Sequence, residues 1–148
     1  MHKLHTVSLE DKNWINEILS QVEFYTCEYP FGNIFSYGAK MEILVGEVSG
    51  CLVTKCIQDD YVMYCCPVGK GNLKDAFGFI LSDAKDDGRD FEIFGISPDT
   101  AEFMSKNYGD ILDIFPYYVW QLYDPIFHHS SHQFRFCDSP ITDFVIQL

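Results

Sequence analysis

Apolar residues recur at helical spacing soon after the start of the chain. Ser8 precedes the pattern and Asp11 follows three residues later, which resembles the capping box found at the start of many helices. The periodic apolar positions are Trp14, Ile15, Ile18, Leu19 and Val22. This spacing predicts a helix over about residues 9–22 with its apolar face in the core. The aromatic, turn-rich segment 27–37 has room for a short helix.

Three short apolar segments follow, at residues 41–47, 51–57 and 61–66. Ser49-Gly50 separates the first two segments, and Asp59-Asp60 separates the second from the third. Because such short connections favour hairpins, the segments predict an antiparallel meander.

Helical spacing returns after the third strand and ends near Gly88. Its apolar positions are Leu73, Ala76, Phe77, Ile80, Leu81 and Ala84. Residues 91–96 form the next predicted strand, and this strand–helix–strand order favours a right-handed parallel crossover between 61–66 and 91–96. A further helix from Pro98 to about Tyr108 and strands at 111–115 and 117–123 complete the pattern.

Charge narrows the classes of partner. The 148 residues include 10 basic and 22 acidic side chains, for a net charge of −12. Such a surface repels phosphate backbones and anionic lipid head groups, so we expect neither nucleic-acid binding nor membrane insertion. The N-terminus lacks the apolar core of a secretion signal, and we expect a cytoplasmic protein. The densest acidic group is interpreted as a solvated face and consists of Asp83, Asp86, Asp87 and Asp90.

The order of elements predicts an α+β domain with a mixed, mainly antiparallel sheet flanked by helices, which is the layout of the acetyltransferase-like (GNAT) fold. Three stretches carry a closer resemblance: Cys27-Glu-Tyr-Pro-Phe-Gly-Asn-Ile-Phe35, Pro67-Val-Gly-Lys-Gly71 and Tyr117-Tyr-Val-Trp120. Through them the chain resembles the first half of a bacterial family labelled phosphatidylglycerol lysyltransferase C-terminal domain. That family looks like two domains of the acyl-CoA N-acyltransferase (GNAT) type in tandem.

The chain departs from this family after Trp120. A basic stretch and a second domain would follow there, whereas this chain continues with an unrelated His-containing segment and ends at Leu148. We therefore predict a GNAT-like domain over residues 1–123 and a divergent tail over 124–148, which forms a last strand or a hairpin. The best-understood relatives move an amino acid from aminoacyl-tRNA to a lipid, and we do not expect that activity here.

The candidate binding site is the strand-to-helix connection made of Gly69, Lys70, Gly71 and Asn72, called the 69–72 loop below. Acyltransferases of the GNAT fold hold the coenzyme A pyrophosphate on backbone N–H groups at this place, so the resemblance implies a site for a coenzyme A ester or another small anion. Glycines allow a close approach, and the helix dipole favours an anion. The alternative is a plain turn that caps the helix, because the usual Arg/Gln-x-x-Gly-x-Gly/Ala run is absent.

No catalytic residue is predicted. Residues 101–109 resemble the helix that carries a tyrosine acid in many enzymes of this fold, but Ser105 stands in the tyrosine's place. A serine hydroxyl is a poor proton donor to a departing thiolate. Tyr108, three residues on, is interpreted as a core or rim aromatic.

Two functions follow as hypotheses. In the first, the chain is a GNAT-like structural or ligand-binding module without catalysis of its own, paired with a second copy in a homodimer that covers exposed sheet. In the second, it is a small acyl- or aminoacyl-transferase that binds its donor at the 69–72 loop. Ser105 favours the first hypothesis.

Neither the cysteines nor the histidines predict a metal site. The six cysteines include no Cys-x-x-Cys pair, so they are interpreted as free, buried thiols. His128, His129 and His132 cluster near Cys137, but the surrounding Pro and Ser residues favour a loop. The alternative is a helix on which His128 and His132 share a face and bind zinc.

We predict that elemental analysis of the purified protein finds less than stoichiometric zinc, because these histidines lie on a loop. About one tightly held zinc per chain that is lost in His132→Ala would contradict this interpretation.

Overall fold

The computed structural model of the protein describes residues 3–23, 28–108, 113–118 and 142–147. The chain divides into two compact units, Met1–Ile93 and Phe94–Leu148.

The first unit contains a sheet with helices before and after its central strands. In chain order its elements are β1 (His5–Thr6), α1 (Lys12–Leu19), α2 (Phe31–Tyr37), β2 (Glu42–Val48), β3 (Cys51–Gln58), β4 (Tyr61–Cys65), β5 (Val68–Gly69), α3 (Leu73–Asp87) and the start of β6 (Phe91–Ile96). The strands β2, β3 and β4 pair antiparallel, which confirms the predicted meander. The edge strand β1 adds antiparallel to β2.

A one-residue bulge ends β4 earlier than predicted. β3 pairs with β4 as far as Lys55↔Tyr64 and then with β5 from Leu52↔Val68. Two residues of β3 lie between these pairs, and three residues lie between Tyr64 and Val68, so the segment from β4 to β5 carries one extra residue. An extra residue leaves part of the ladder unpaired and bends the strand. The carbonyl oxygen of Cys66, within this break, accepts a hydrogen bond of 2.9 Å from the buried Tyr29 hydroxyl. The bulge thus directs the chain out of the meander and into the 69–72 loop.

Local signals set both ends of α3, and the end near Gly88 was predicted. The Asn72 side chain caps the helix by accepting from the backbone N–H groups of Lys74 and Asp75. Gly88 ends it in the left-handed conformation at φ 77°, where glycine is favoured. The buried face consists of Ala76, Phe77, Ile80 and Ala84.

The strand β6 lies next to β4 in the strand order. The predicted crossover between residues 61–66 and 91–96 requires these two strands to be neighbours. The Tyr64 ring meets the Phe91 ring edge-on, with centroids 5.7 Å apart. Both side chains are buried, so this contact fixes the start of β6 against the meander.

The first predicted helix is present but shorter, as a 3-10 turn at Leu9–Asp11 followed by α1. Asp11 is buried and organises this turn through hydrogen bonds with Ser8, Trp14 and His5. The Ser8 N–H donates to its carboxylate at 2.7 Å, the Trp14 indole N–H at 2.9 Å, and His5 Nε2 lies 2.8 Å away. Burial alone would raise the pKa of Asp11, but the hydrogen bonds from Trp14, His5 and Ser8 outweigh it and lower the pKa.

The second unit contains α4 (Pro98–Tyr108), β7 (Asp113–Tyr118) and β8 (Thr142–Gln147). β7 and β8 pair antiparallel, from Asp113↔Gln147 to Tyr118↔Thr142. The prediction of two strands at 111–115 and 117–123 was wrong, because β7 runs unbroken through Pro116. β7 is the last strand in the order, and an edge strand tolerates the missing proline N–H.

None of the helices in the described ranges combines the length and apolarity that crossing a bilayer requires.

The hydrogen bonds to the buried Asp11 carboxylate predict a specific pH dependence of stability. Because the pKa of Asp11 is lower in the folded protein than the usual value of about 3.9, its contribution is complete above that value and declines as the pH falls below about 4. We expect Asp11→Asn to lower the free energy of unfolding by about 1–2 kcal/mol at pH 7, with the deficit shrinking toward pH 3. Urea unfolding at a series of pH values tests this. A deficit that stays constant between pH 7 and pH 3 would show that the charge of Asp11 contributes nothing.

Candidate functional site

The 69–72 loop connects β5 to α3 and packs against the turn between β2 and β3. A Cβ atom at Gly71 would overlap the carbonyl oxygen of Ser49, and one at Gly69 would overlap that of Gly50. The two glycines are therefore required by the close approach of two backbone segments of the chain itself. Glycine here does not by itself indicate an approaching ligand.

Several N–H groups at this junction already have partners within the chain. The Asn72 N–H donates to the Ser49 carbonyl at 2.9 Å. The N–H groups of Lys74 and Asp75 donate to the Asn72 side chain at 3.0 and 3.3 Å. Burial raises the pKa of the Cys51 thiol, and a hydrogen bond from the Gly71 backbone offsets part of that effect. The helix start is thus capped from inside, as in the alternative interpretation of the loop.

The 69–72 loop carries one positive side chain, and the helix that follows begins with a negative one. Lys70 is exposed, as an anion site would need. Asp75 lies in the first turn of α3, and the Ser49 hydroxyl donates to its carboxylate at 3.3 Å. An anion at the helix start would meet this carboxylate, which already interacts favourably with the helix dipole. The assignment of Gly69, Lys70, Gly71 and Asn72 as a binding site remains a prediction.

A second polar cluster lies between α3 and the meander, and the sequence analysis did not predict it. The Lys55 side chain is only 6% exposed, and its Nζ lies 2.8 Å from carboxylate oxygens of both Asp83 and Asp87. The Tyr64 hydroxyl donates to Asp83 at 2.6 Å. Lys55 also lies over the Tyr64 ring, 5.5 Å from its centroid. We call Lys55, Tyr64, Asp83, Asp87 and Arg89 the lysine network.

Arg89 completes the lysine network from the segment after α3. Its guanidinium binds the Asp87 carboxylate and also donates to the Asp59 carbonyl at 3.2 Å. The hydrogen bond from Arg89, aided by Lys55, holds the pKa of Asp87 well below its usual range despite partial burial. Burial and the neighbouring Asp83 carboxylate raise the pKa of Tyr64. At neutral pH the Asp87 carboxylate is therefore ionised and the Tyr64 phenol is protonated.

The interpretation of the acidic group as a solvated face needs correction. Asp86 and Asp90 are exposed, as expected, but Asp83 and Asp87 bind the buried Lys55. A signal was present in the sequence: a lysine in the middle of an apolar strand needs carboxylates, and two carboxylates four residues apart share one face of a helix. Within the described residues, no group of three or more His, Cys, Asp or Glu side chains is arranged to hold a metal ion.

The other predicted positions fall in different places. Ser105 is exposed on α4, and Tyr108 is half-buried with its ring 6.5 Å from that of Phe103, as expected of a rim aromatic. The cysteines in the described residues are free and buried, as predicted: Cys51, Cys56, Cys65 and Cys66. A hydrogen bond with Cys56, together with burial, raises the pKa of Cys65 well above the usual range. Cys27, Cys137 and the histidines at 128, 129 and 132 lie outside the described residues.

Comparison with solved structures supports the predicted fold. A conserved protein of unknown function from Bacteroides thetaiotaomicron VPI-5482 matches with a TM-score of 0.71 and 19% identity, over 79% of this chain and 40% of that chain. The PaiA N-acetyltransferase of Thermoplasma acidophilum, solved in complex with coenzyme A, matches with a TM-score of 0.53 and 10% identity, over 99% of this chain and 98% of that chain. No protein-family model and no curated protein sequence matches the chain. The chain has a GNAT-like fold, and the first matched protein is more than twice as long as the region it shares with this chain.

The lysine network predicts a large stability difference between two lysine substitutions. Lys55→Met leaves Asp83 and Asp87 without their buried cation, and we expect a loss of about 3 kcal/mol in the free energy of unfolding. The matched control is Lys106→Met, which removes an exposed pair with Glu102 and should cost about 0.5 kcal/mol or less. Denaturant unfolding measures both. Similar losses in the two variants would mean that the buried network contributes no more than a surface pair.

Proposed function

We propose that the chain is a GNAT-like module with a structural or ligand-binding role and without catalysis of its own. The observation that carries this proposal is the internal use of the N–H groups at the 69–72 loop. Asn72 donates to Ser49, and the first turn of α3 donates to the Asn72 side chain. A pyrophosphate group would have to replace these contacts beside the Asp75 carboxylate, with Lys70 as the cation of the loop.

Two further observations support a module. Ser105 is an exposed hydroxyl on α4 where enzymes of this fold carry a tyrosine acid, so proton transfer to a leaving thiolate lacks its usual donor. The likeness to the Bacteroides protein covers 40% of that chain, which fits a domain that works beside a second one. In the tandem arrangement implied by the resemblance to the phosphatidylglycerol lysyltransferase family, a second domain or a second copy of this chain would take that position.

A small acyl- or aminoacyl-transferase is the second candidate. The observation in its favour is the likeness over nearly the whole length of an N-acetyltransferase solved with coenzyme A. The strand bulge followed by the 69–72 loop leads into a helix start, the kind of place where anions bind.

Calorimetry with coenzyme A, acetyl-coenzyme A and pyrophosphate separates the two candidates. We expect no binding heat at millimolar concentrations of any of the three, because the N–H groups of Gly71 and Asn72 already have partners within the chain. A coenzyme A dissociation constant below about 0.1 mM, weakened about threefold or more in Lys70→Ala, would favour the transferase. Lys70 is the residue to change, since a side chain at Gly71 would disrupt the contact with Ser49 and confuse binding with folding.

A further inference from the structure

Three sulfur-containing side chains share one face of the meander. The register of β3 with β4 places Cys56 directly opposite Met63. Because side chains alternate between the two faces of a strand, Cys65 lies on the same face as Met63, two residues further along β4. Lys55 and Tyr64 occupy the other face, where they bind Asp83 on α3. We call Cys56, Met63 and Cys65 the sulfur cluster.

The sulfur cluster is buried, and its two thiols contact each other. The residues Cys56, Met63 and Cys65 are 7%, 9% and 4% exposed, so the cluster is shielded but not sealed from solvent. A hydrogen bond joins the thiols of Cys56 and Cys65, and both cysteines are free. The cluster therefore brings two thiols and a thioether together in an apolar environment.

The spacing of the two thiols suits a bridging ion better than a disulfide. Cys56 and Cys65 are diagonal neighbours, and the Cα atoms of such neighbours lie about 7–8 Å apart. A disulfide usually requires a Cα separation of about 4.4–6.8 Å, so forming one here would require the backbone to move. Two metal–sulfur bonds of about 2.3 Å each span up to about 4.6 Å between the sulfur atoms, which thiols already in contact reach without that movement.

A buried hydroxyl on the same face lacks an acceptor. Thr54 lies two residues before Cys56 on β3 and is 3% exposed. Within the part of the chain that the structure describes, its Oγ1 has no hydrogen-bond partner. A buried hydroxyl without a partner costs free energy. A metal-bound thiolate would supply the acceptor, in the way that outer hydrogen bonds orient metal ligands.

The charges near the cluster favour a cation. The hydrogen bond with Cys56 and burial raise the pKa of Cys65, and the carboxylate of Glu28 adds to the effect. A positive ion bound to the sulfur would offset this cost of forming the thiolate. The net charge of −12 attracts cations to the chain as a whole.

We propose that the sulfur cluster binds one copper(I) ion through the thiolates of Cys56 and Cys65 and the thioether of Met63. Thiolate and thioether sulfur are the ligands that select copper(I). Each thiol releases its proton to water as it binds, so two protons leave for each ion bound. Zinc suits the cluster less well, because a structural zinc site needs four nitrogen, oxygen or thiolate ligands. This proposal goes beyond the module proposed above and does not depend on whether the 69–72 loop binds coenzyme A.

An anaerobic titration of the full chain with copper(I), in competition with the chelator bicinchoninate, tests the proposal. We expect the protein to withdraw about one copper per chain, and we expect X-ray absorption to find only sulfur neighbours around it. Zinc supplied in place of copper should be lost on dialysis. Failure to withdraw copper, nitrogen or oxygen neighbours around it, or equal retention of zinc would each overturn the proposal.

Cysteine substitutions locate the ion. Cys56→Ala and Cys65→Ala should each abolish the retention of copper. Cys51→Ala is the matched control, because Cys51 is also free and buried but lies an odd number of residues from Cys56 on β3 and so occupies the other face. Circular dichroism verifies that the variants are folded. Copper retained at about one per chain in Cys56→Ala and Cys65→Ala would place the ion at other cysteines and overturn the proposal.

Two milder substitutions test the same site without removing a thiol. Met63→Leu nearly conserves the buried volume, so the fold should be retained, and X-ray absorption should then find one sulfur neighbour fewer. Thr54→Val removes the hydroxyl and should weaken copper binding by about tenfold. A sulfur count that is unchanged in Met63→Leu would exclude the thioether and overturn the three-sulfur site. Copper affinity that is unchanged in Thr54→Val would remove the buried hydroxyl as support and count against the proposal.

Discussion

The buried ammonium group of Lys55 constrains how α3 packs on the meander. An ammonium taken out of water must be matched by carboxylates with good geometry, or it destabilises the fold by several kcal/mol. Asp83 and Asp87 meet this demand together because they lie one turn apart on α3. An apolar contact would tolerate rotation or sliding of the helix, whereas two 2.8 Å contacts to one nitrogen do not. The network thereby specifies where α3 lies on the meander.

The position of α3 in turn determines what the 69–72 loop can do. The bulge after β4 sends the chain back across the start of β3, where β5 pairs with Cys51 and Leu52. On the way to Asn72, the close approach to the Ser49-Gly50 turn leaves no room for a side chain at positions 69 and 71. A Gly-x-Gly run at a strand-to-helix junction thus has a sufficient cause in packing alone. The same spacing in an acyltransferase serves a ligand, and the partners of the N–H groups distinguish the two cases.

Local signals allowed most of the fold to be predicted from the sequence. The meander followed from turn residues at Ser49 and Asp59, and the end of α3 followed from Gly88, because each signal acts within a few residues. The failures depend on distant partners. Lys55 and its carboxylates are 28 and 32 residues apart, and β7 pairs with a strand beyond residue 141, which no local pattern near Pro116 reveals. In the candidate site, the glycines were found from the sequence, but their cause required the structure.

The positions of the positively charged side chains also constrain function. A chain of charge −12 has few positive groups for recognising an anion. Two of them already bind carboxylates within the fold: Lys55 binds Asp83, and Arg89 binds Asp87. Lys70 precedes a helix start that carries Asp75 in its first turn and has two N–H groups capped by Asn72, so a polyanion there would gain one cation against the field of the whole protein.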